Sequence, residues 1–400
     1  MNAVTKRADS SAGLRLASID AYRGLVMFLL MAEVLNFAAV SRALPGNKFW
    51  AFLAYHQDHS AWVGCTLHDL IQPSFSFLVG VALPFSLASR ISRGQSLRAL
   101  TVHTMWRSLV LIFLGIFLRS AWSTQTYWTF EDTVTQIGLG YPILFFVALK
   151  SPRIQWFALA LILAGVWTAW MAYSPTPAAI ELAHAGAPAG WNFDATGIAA
   201  HWNKNSNLGT AFDRWFLNLF PRVHPFTTHE GGYVTLNFIP TLGTMILGLI
   251  AGRWLKTDSG PREKINRFMA VGLICFSCGL CAQLLGLCPI VKRVWTPSWV
   301  LFSGGWCFCL LAAFYVALDW KGWKRWAFPL QVIGMNSIAA YVITWLLRDP
   351  ISNQLKIHLG THLFAVLGAA CAPLLFGMVA LSVEWLILFW MYRRKIFLKI

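Results

Sequence analysis

Charge is what this 400-residue chain has least of. Only 12% of its residues are Asp, Glu, Lys or Arg, against about 25% in soluble domains. So few charges cannot cover a soluble surface. That excludes a soluble globular enzyme, a disordered chain and a nucleic-acid-binding domain, so nucleic acid is not an expected partner. Acids are the scarcer sign, 16 against 32 Lys and Arg. No Asn-x-Ser/Thr sequon occurs, which fits a bacterial inner membrane. No low-complexity segment or short-period repeat is present. No cleavable signal peptide is expected either: Met1 to Leu14 is polar, and no small-residue cleavage site follows the first apolar stretch. In place of charge the chain has 57% hydrophobic residues, 21 Trp and 29 Phe, with a mean hydropathy of +0.57.

A helix needs about 20 apolar residues to cross the hydrocarbon layer. Stretches of that kind run over 23–41, 67–89, 99–118, 133–149, 154–173, 235–255, 266–287, 297–318, 327–347 and 364–391. The expected fold is all-α, a polytopic membrane bundle of about ten transmembrane helices forming one domain over 1–400. Basic residues set its orientation. With the N-terminus inside, the inner segments hold most of them, from Lys6, Arg7 and Arg15 to Arg393, Arg394, Lys395 and Lys399. Both termini are therefore expected in the cytoplasm. A long outer loop at about 174–234 remains, and loops of that length are usually functional. Thr210 to Phe220 within it reads as an amphipathic helix.

The eight Cys make no disulfide framework. Cys275, Cys278 and Cys281 lie at helical spacing in one apolar segment and read as small packing residues. His56 and His59 are three apart, but no third ligand stands at good spacing, so no metal is expected.

Ionisable groups inside a membrane segment are costly and are functional candidates by default. The first segment holds Asp20, Arg23 and Glu33. Asp20 and Arg23 share a helix face, and a structural ion pair is the plain alternative. Glu33 lies about 15 Å deeper at the helical rise, with Asn36 on the same face. The second cluster is His56-Gln57-Asp58-His59-Ser60-Ala61-Trp62-Val63-Gly64-Cys65-Thr66-Leu67-His68-Asp69, at the outer entrance of the second helix. Gln136, Asn237, Asn336, Ser337 and Glu384 are further polar groups in apolar surroundings. Each has interhelical hydrogen bonding as its commoner role, but together they point to a polar pocket or tunnel.

At these residues the sequence resembles a known family, the transmembrane acetyltransferases related to heparan-α-glucosaminide N-acetyltransferase. The likeness lies in Ser18-Ile19-Asp20-Ala21-Tyr22-Arg23-Gly24 and in His59-Ser60-Ala61-Trp62-Val63-Gly64 followed by Asp69-Leu70, Pro73, Phe75, Phe77 and Gly80. It continues in Ile239-Pro240 with Gly248 and Gly252-Arg253, in Lys292-Arg293-Val294-Trp295-Thr296-Pro297-Ser298, in Gly334-Met335-Asn336-Ser337 and in Tyr392-Arg393-Arg394-Lys395-Ile396-Phe397. The family's active-site His falls on His59. The resemblance implies acetyl transfer from cytoplasmic acetyl-CoA, a co-substrate, to an amino sugar of the glucosamine type on the outer side.

His suits that chemistry because its ordinary pKa of about 6.5 lets it exchange a proton near neutrality. It could act as a base or carry the acetyl group itself; both routes stay open. Asp58 or Asp69 could orient the ring. Asn36, Gln136, Asn336 and Ser337 are candidate donors to the thioester oxygen. Arg23, Arg90 and Arg253 are the candidates for the CoA phosphates, with a topological anchor as the alternative for each. Asp58, Trp62, Glu33 and Trp295 are the candidate sugar contacts. An O-acetyltransferase of envelope polysaccharide and a secondary transporter of an amino sugar or organic ion are the rival functions. Membrane lipid is the expected partner besides the glycan acceptor, and homodimer formation stays open.

Overall fold

The computed structural model describes residues 16–398. The basic residues Lys6, Arg7, Arg15 and Lys399, used above for orientation, lie outside the described residues. Within them the chain is all-helical, without a β-strand. The helices are α1 (Ala17–Met31), α2 (Phe37–Ala43), α3 (Lys48–Gln57), α4 (Ile71–Ser92), α5 (Leu97–Ser120), α6 (Thr133–Ala148), α7 (Pro152–Ala172) and α8 (Pro177–Ala185). They continue as α9 (Leu208–Phe216), α10 (Phe238–Lys256), α11 (Pro261–Leu284), α12 (Pro297–Phe314), α13 (Phe328–Met335), α14 (Ser337–Leu346), α15 (Arg348–Leu359) and α16 (Ala372–Arg393).

Local sequence explains many of the helix starts. Pro stands in the first turn of α7, α8, α11 and α12, where its missing N–H costs nothing. Asn47, Ser96, Asp132, Asn207 and Thr296 cap α3, α5, α6, α9 and α12 with their side chains.

Each of the ten apolar stretches contains a helix. Among the described residues eight helices are long and apolar enough to cross a membrane. A ninth span arises if α13 and α14, bent by 70° at Asn336, are taken together. The remaining stretch is α6, only 16 residues long. The first span is likewise broken. A 3-10 turn over Ala32–Leu35 and a left-handed Asn36 (φ 49°) separate α1 from α2.

The packing separates inner helices from outer ones. In its apolar stretch α10 is 83% buried, whereas α7, α11 and α16 are each 22% buried and turn side chains such as Phe157, Leu161, Leu273, Ile274 and Leu386 outward. An apolar outer face is what lipid requires, since the bilayer core offers no water to solvate polar groups. The seam between α4 and α10 depends on absent side chains. A Cβ on Gly248 would stand 1.9 Å from the Phe77 carbonyl oxygen, and one on Gly80 would stand 1.9 Å from that of Met245. Such close backbone approach is how membrane helices gain dispersion contact without a hydrophobic driving force. α4, α6 and α10 all begin at one end of the bundle and finish at the other. His59 lies at the first end and Arg253 at the second.

At the His59 end, the segment 174–234 folds into α8, α9 and several 3-10 turns. The amphipathic stretch predicted there is α9 with a following turn over Leu217–Leu219. Trp202 is fully buried and stacks on Trp170 with ring centroids 5.5 Å apart, which ties this cap to the end of α7.

Candidate active site

His59 sits on the loop between α3 and the 3-10 turn His68–Leu70 that leads into α4. Asp69 organises that loop. Its Oδ2 accepts the N–H groups of Ser60 (3.1 Å) and Thr66 (3.0 Å) and the Thr66 hydroxyl (3.2 Å). Its Oδ1 lies 2.8 Å from Nδ1 of His59. A carboxylate only accepts, so Nδ1 carries the proton and the lone pair lies on Nε2. Asp69 is wholly buried, and Lys292 reaches it from the α11–α12 loop with Nζ 3.6 Å from Oδ1. The same ammonium stands 3.1 Å from Nδ1 and 3.4 Å from Nε2 of His59. Burial and the neighbouring Lys292 charge push the His59 ring down to about 4, against the pull of Asp69. At neutral pH the ring is uncharged.

The ring faces a cavity of about 340 Å³, within the usual size of small-molecule sites. Its wall combines the starts of α4 (Ile71, Gln72, Phe75) and α6 (Thr133) with Arg119 at the end of α5. Glu33 and His68 line it beside His59 and are 3.0 Å apart. Arg348 holds the other Glu33 oxygen at 2.7 Å and donates to the Leu30 carbonyl at 2.8 Å. The break after α1 exposes that carbonyl, so the helix interruption and the arginine belong to one arrangement. Across the cavity Asp132 accepts from Arg119 (3.2 Å) and from the Tyr341 hydroxyl (2.9 Å) while capping α6. Next to it, Glu131 lies 3.5 Å from His229. Burial raises the Glu131 carboxyl, but His229 and Arg119 outweigh it and hold the group at about 2.

The structure brings His59 and Glu33 to the wall of one cavity, with Asp69 buried against the His59 ring. It separates other candidates from them. Asn36 is exposed and caps α2 through the Ala39 N–H at 3.2 Å; the break in the helix ends the face it was expected to share with Glu33. Gln136 is buried and donates to the Phe130 and Thr235 carbonyls, joining α6 to the start of α10. Asn336 clamps the C-terminal tail, donating to the Ile396 carbonyl and accepting from Leu398 N–H, and Ser337 begins α14 beside it. Asp58 holds the His59 backbone N–H at 2.7 Å rather than its ring. Trp62 is buried beneath the cap against Trp191, and Trp295 is buried with its Nε1 donating to Thr244. Neither indole lines the cavity. Arg23 lies near Asp20 at 3.8 Å.

A second cavity of about 530 Å³ lies at the other end, among the last turns of α4, α6 and α10 and the start of α7. Arg253 lines it and donates to the Lys150 carbonyl at 2.9 Å. Arg90 belongs to the same end, bonded to His103 and Gln95. Phe75 in the first cavity and Leu87 in the second are 12 residues apart on α4, about 18 Å at the helical rise.

Sequence reasoning missed the roles of Lys292, Arg348, His68 and the Glu131-Asp132 pair. A signal existed for two of them. A double acid just ahead of an apolar stretch, and Arg348-Asp349 between two apolar stretches, are conspicuous in so charge-poor a chain.

The bundle and its buried polar cavity define a polytopic helical membrane protein with a His–Asp site at one end. No family model matches the sequence. Heparan-alpha-glucosaminide N-acetyltransferase from Homo sapiens is 27% identical over 96% of this chain and 60% of its own length. The Mus musculus protein of the same name is 27% identical over 99% of this chain and 62% of its own length. The chain thus spans about three-fifths of the curated relatives it matches. At this identity over nearly the whole chain, the matches support its membership of the heparan-alpha-glucosaminide N-acetyltransferase family.

Proposed function

We propose that this chain is a transmembrane acetyltransferase that moves an acetyl group from cytoplasmic acetyl-CoA to the amine of a glucosamine-type sugar on the outer side. The observation that carries the reading is His59 in the wall of a polar cavity, held by the buried Asp69, in a chain similar along nearly its full length to named N-acetyltransferases. The positive-inside pattern puts the His59 end outside and the Arg253 end in the cytoplasm. The charge-poor, sequon-free sequence fits a bacterial inner membrane.

The chemistry follows from the tautomer. Asp69 fixes the proton on Nδ1, so Nε2 faces the reactants with its lone pair. An amine attacking a thioester must lose a proton as the C–N bond forms, and Nε2 takes it. The C–S bond then breaks, and the same proton passes to the departing thiolate. In the two-step route Nε2 attacks the thioester carbon, the C–S bond breaks and CoA leaves as the thiolate; the amine then displaces the ring from the acetyl-imidazolium, and the proton it sheds passes to the thiolate. Both routes need a neutral His59 with Nε2 free. Glu33 and Glu131 give the cavity carboxylates that suit an ammonium or the hydroxyls of a sugar. Arg253, Arg90 and the second cavity suit the phosphate-bearing end of CoA.

Purified protein in detergent or vesicles, given labelled acetyl-CoA and glucosamine, should yield labelled N-acetyl sugar. His59→Ala should abolish turnover and leave CoA binding nearly unchanged. Label recovered on a hydroxyl would redirect the reading to O-acetylation. Sugar uptake without transfer to any amine or hydroxyl acceptor would overturn it in favour of transport.

A further inference from the structure

Lys292 is only 4% exposed, although an ammonium is among the costliest groups to bury. The chain holds it there firmly. Val291 bridges Val63 in antiparallel fashion, and Gly64 N–H donates to the Ile290 carbonyl at 3.0 Å. These contacts stitch the α11–α12 loop to the loop that carries His59. Asn237 holds the Arg293 carbonyl at 2.8 Å, and Trp295 N–H closes back on the Lys292 carbonyl at 2.9 Å. That bridge and those three hydrogen bonds fix the backbone on both sides of the lysine; neutralising Asp69 alone would not require it, because an ammonium can meet a carboxylate without also lying against an imidazole.

The geometry points to Lys292 as a positioning residue for the proposed reaction: its ammonium, set against both the His59 ring and Asp69, keeps the ring neutral with Nε2 unprotonated on the acid side of neutrality. This rests on the acetyltransferase reading only for its consequence, not for its physical content. An Asp–His pair alone favours the imidazolium, because the carboxylate attracts the added proton. A cation 3.1–3.4 Å from both ring nitrogens opposes it. The remaining groups around the ring do not supply a second carboxylate in contact. His68 lies 4.6 Å away between ring centroids and is itself bonded to Glu33. Glu33 is shared with Arg348. Asp58 is directed at the His59 backbone N–H. Across the cavity, Arg293 and Tyr233 stand on the Lys292 side, Glu131 lies against His229, and Arg119 against Asp132. The downward displacement of His59 described above, with burial and Lys292 as its main causes, agrees with this balance.

The test reads the ring directly. Diethyl pyrocarbonate reacts with neutral imidazole, so the labelling rate of His59 against pH, followed by fragment mass spectrometry of the full-length protein, gives its titration midpoint. In the wild type the midpoint should fall at least one unit below the ordinary value of about 6.5; a value at or above 6.5 would overturn the inference without any variant. Lys292→Met should raise the midpoint by a unit or more, and Lys292→Arg should hold it near the wild-type value. An unmoved midpoint in Lys292→Met of normal elution and melting temperature would also overturn it. In acetyl-transfer assays the acid limb of kcat/KM should move with the labelling midpoint, whereas a merely structural lysine would lower the rate without moving that limb. If the wild type transfers no acetyl group at all, the functional reading falls, and the labelling result still decides the part played by Lys292.

Discussion

Replacing Asp69 by Asn keeps the side chain's shape and removes its charge, and the hydrogen bonds dictate how the amide must sit. Three donors converge on Oδ2: the N–H groups of Ser60 and Thr66 and the Thr66 hydroxyl. The amide oxygen must take that position, which leaves its NH2 where Oδ1 stood, 2.8 Å from Nδ1 of His59. Two N–H donors cannot face each other, so the ring takes the opposite tautomer. Nδ1 then accepts, and the proton moves to Nε2, which loses its lone pair. The corresponding change in serine proteases, with geometry intact and the tautomer wrong, costs about 10⁴ in kcat. A loss on the order of 10³–10⁴ is expected here, with KM for the sugar little changed. The same substitution leaves the buried Lys292 ammonium without its carboxylate, and breaking a buried pair costs about 3–5 kcal/mol. Turnover of labelled acetyl-CoA is therefore to be measured together with thermal unfolding in the same detergent. ¹⁵N shifts of the His59 ring would report the tautomer. A folded Asp69→Asn protein that keeps more than a tenth of wild-type kcat/KM would refute the assigned role of the pair.

The fold and the second cavity give further expectations. Gly248→Ala sets a Cβ 1.9 Å from the Phe77 carbonyl oxygen and should destabilise the bundle by about 1–3 kcal/mol or more; Gly165→Ala, with nothing within 4 Å, should not lower the melting temperature. Burial lifts the Asp213 carboxyl to about 7, so the folded protein keeps a proton that the unfolded chain releases near 4. The contribution of this group is greatest below about pH 4, falls as pH rises from about 4 to 7, and then levels off. Asp213→Asn should remove that slope and raise the melting temperature at pH 8 relative to wild type. Arg253→Glu should weaken acetyl-CoA binding by about 1.5–3 kcal/mol, roughly ten- to 150-fold, if the arginine meets a phosphate. Titration calorimetry reads this, and unchanged affinity would leave Arg253 as part of the cavity wall alone.

Much of this protein is legible in its residues. The scarcity of charge and the ten apolar stretches gave the all-helical membrane class, because burial in lipid follows composition over windows of about 20 residues. The helix starts at Pro152, Pro261 and Pro297 and the amphipathic stretch of α9 follow from equally local rules. His59 and Asp69 stood out because they are ten residues apart in one polar cluster. Asn36 was misread for a local reason too: periodicity assumes an unbroken helix, and a single left-handed residue turned its side chain away from the Glu33 face.

What the sequence alone could not determine is which distant charges meet. Lys292 reaches His59 across 233 positions, Arg348 reaches Glu33 across 315, and Tyr341 reaches Asp132 across 209. No period or spacing encodes such pairs. They exist because the close seam of α4 on α10 and the bend between α13 and α14 fix where the helix ends arrive. Composition determined that the few charges would matter, since lipid penalises each one left alone. The tertiary structure decided which partners neutralise them, and so which histidine nitrogen is left free to act.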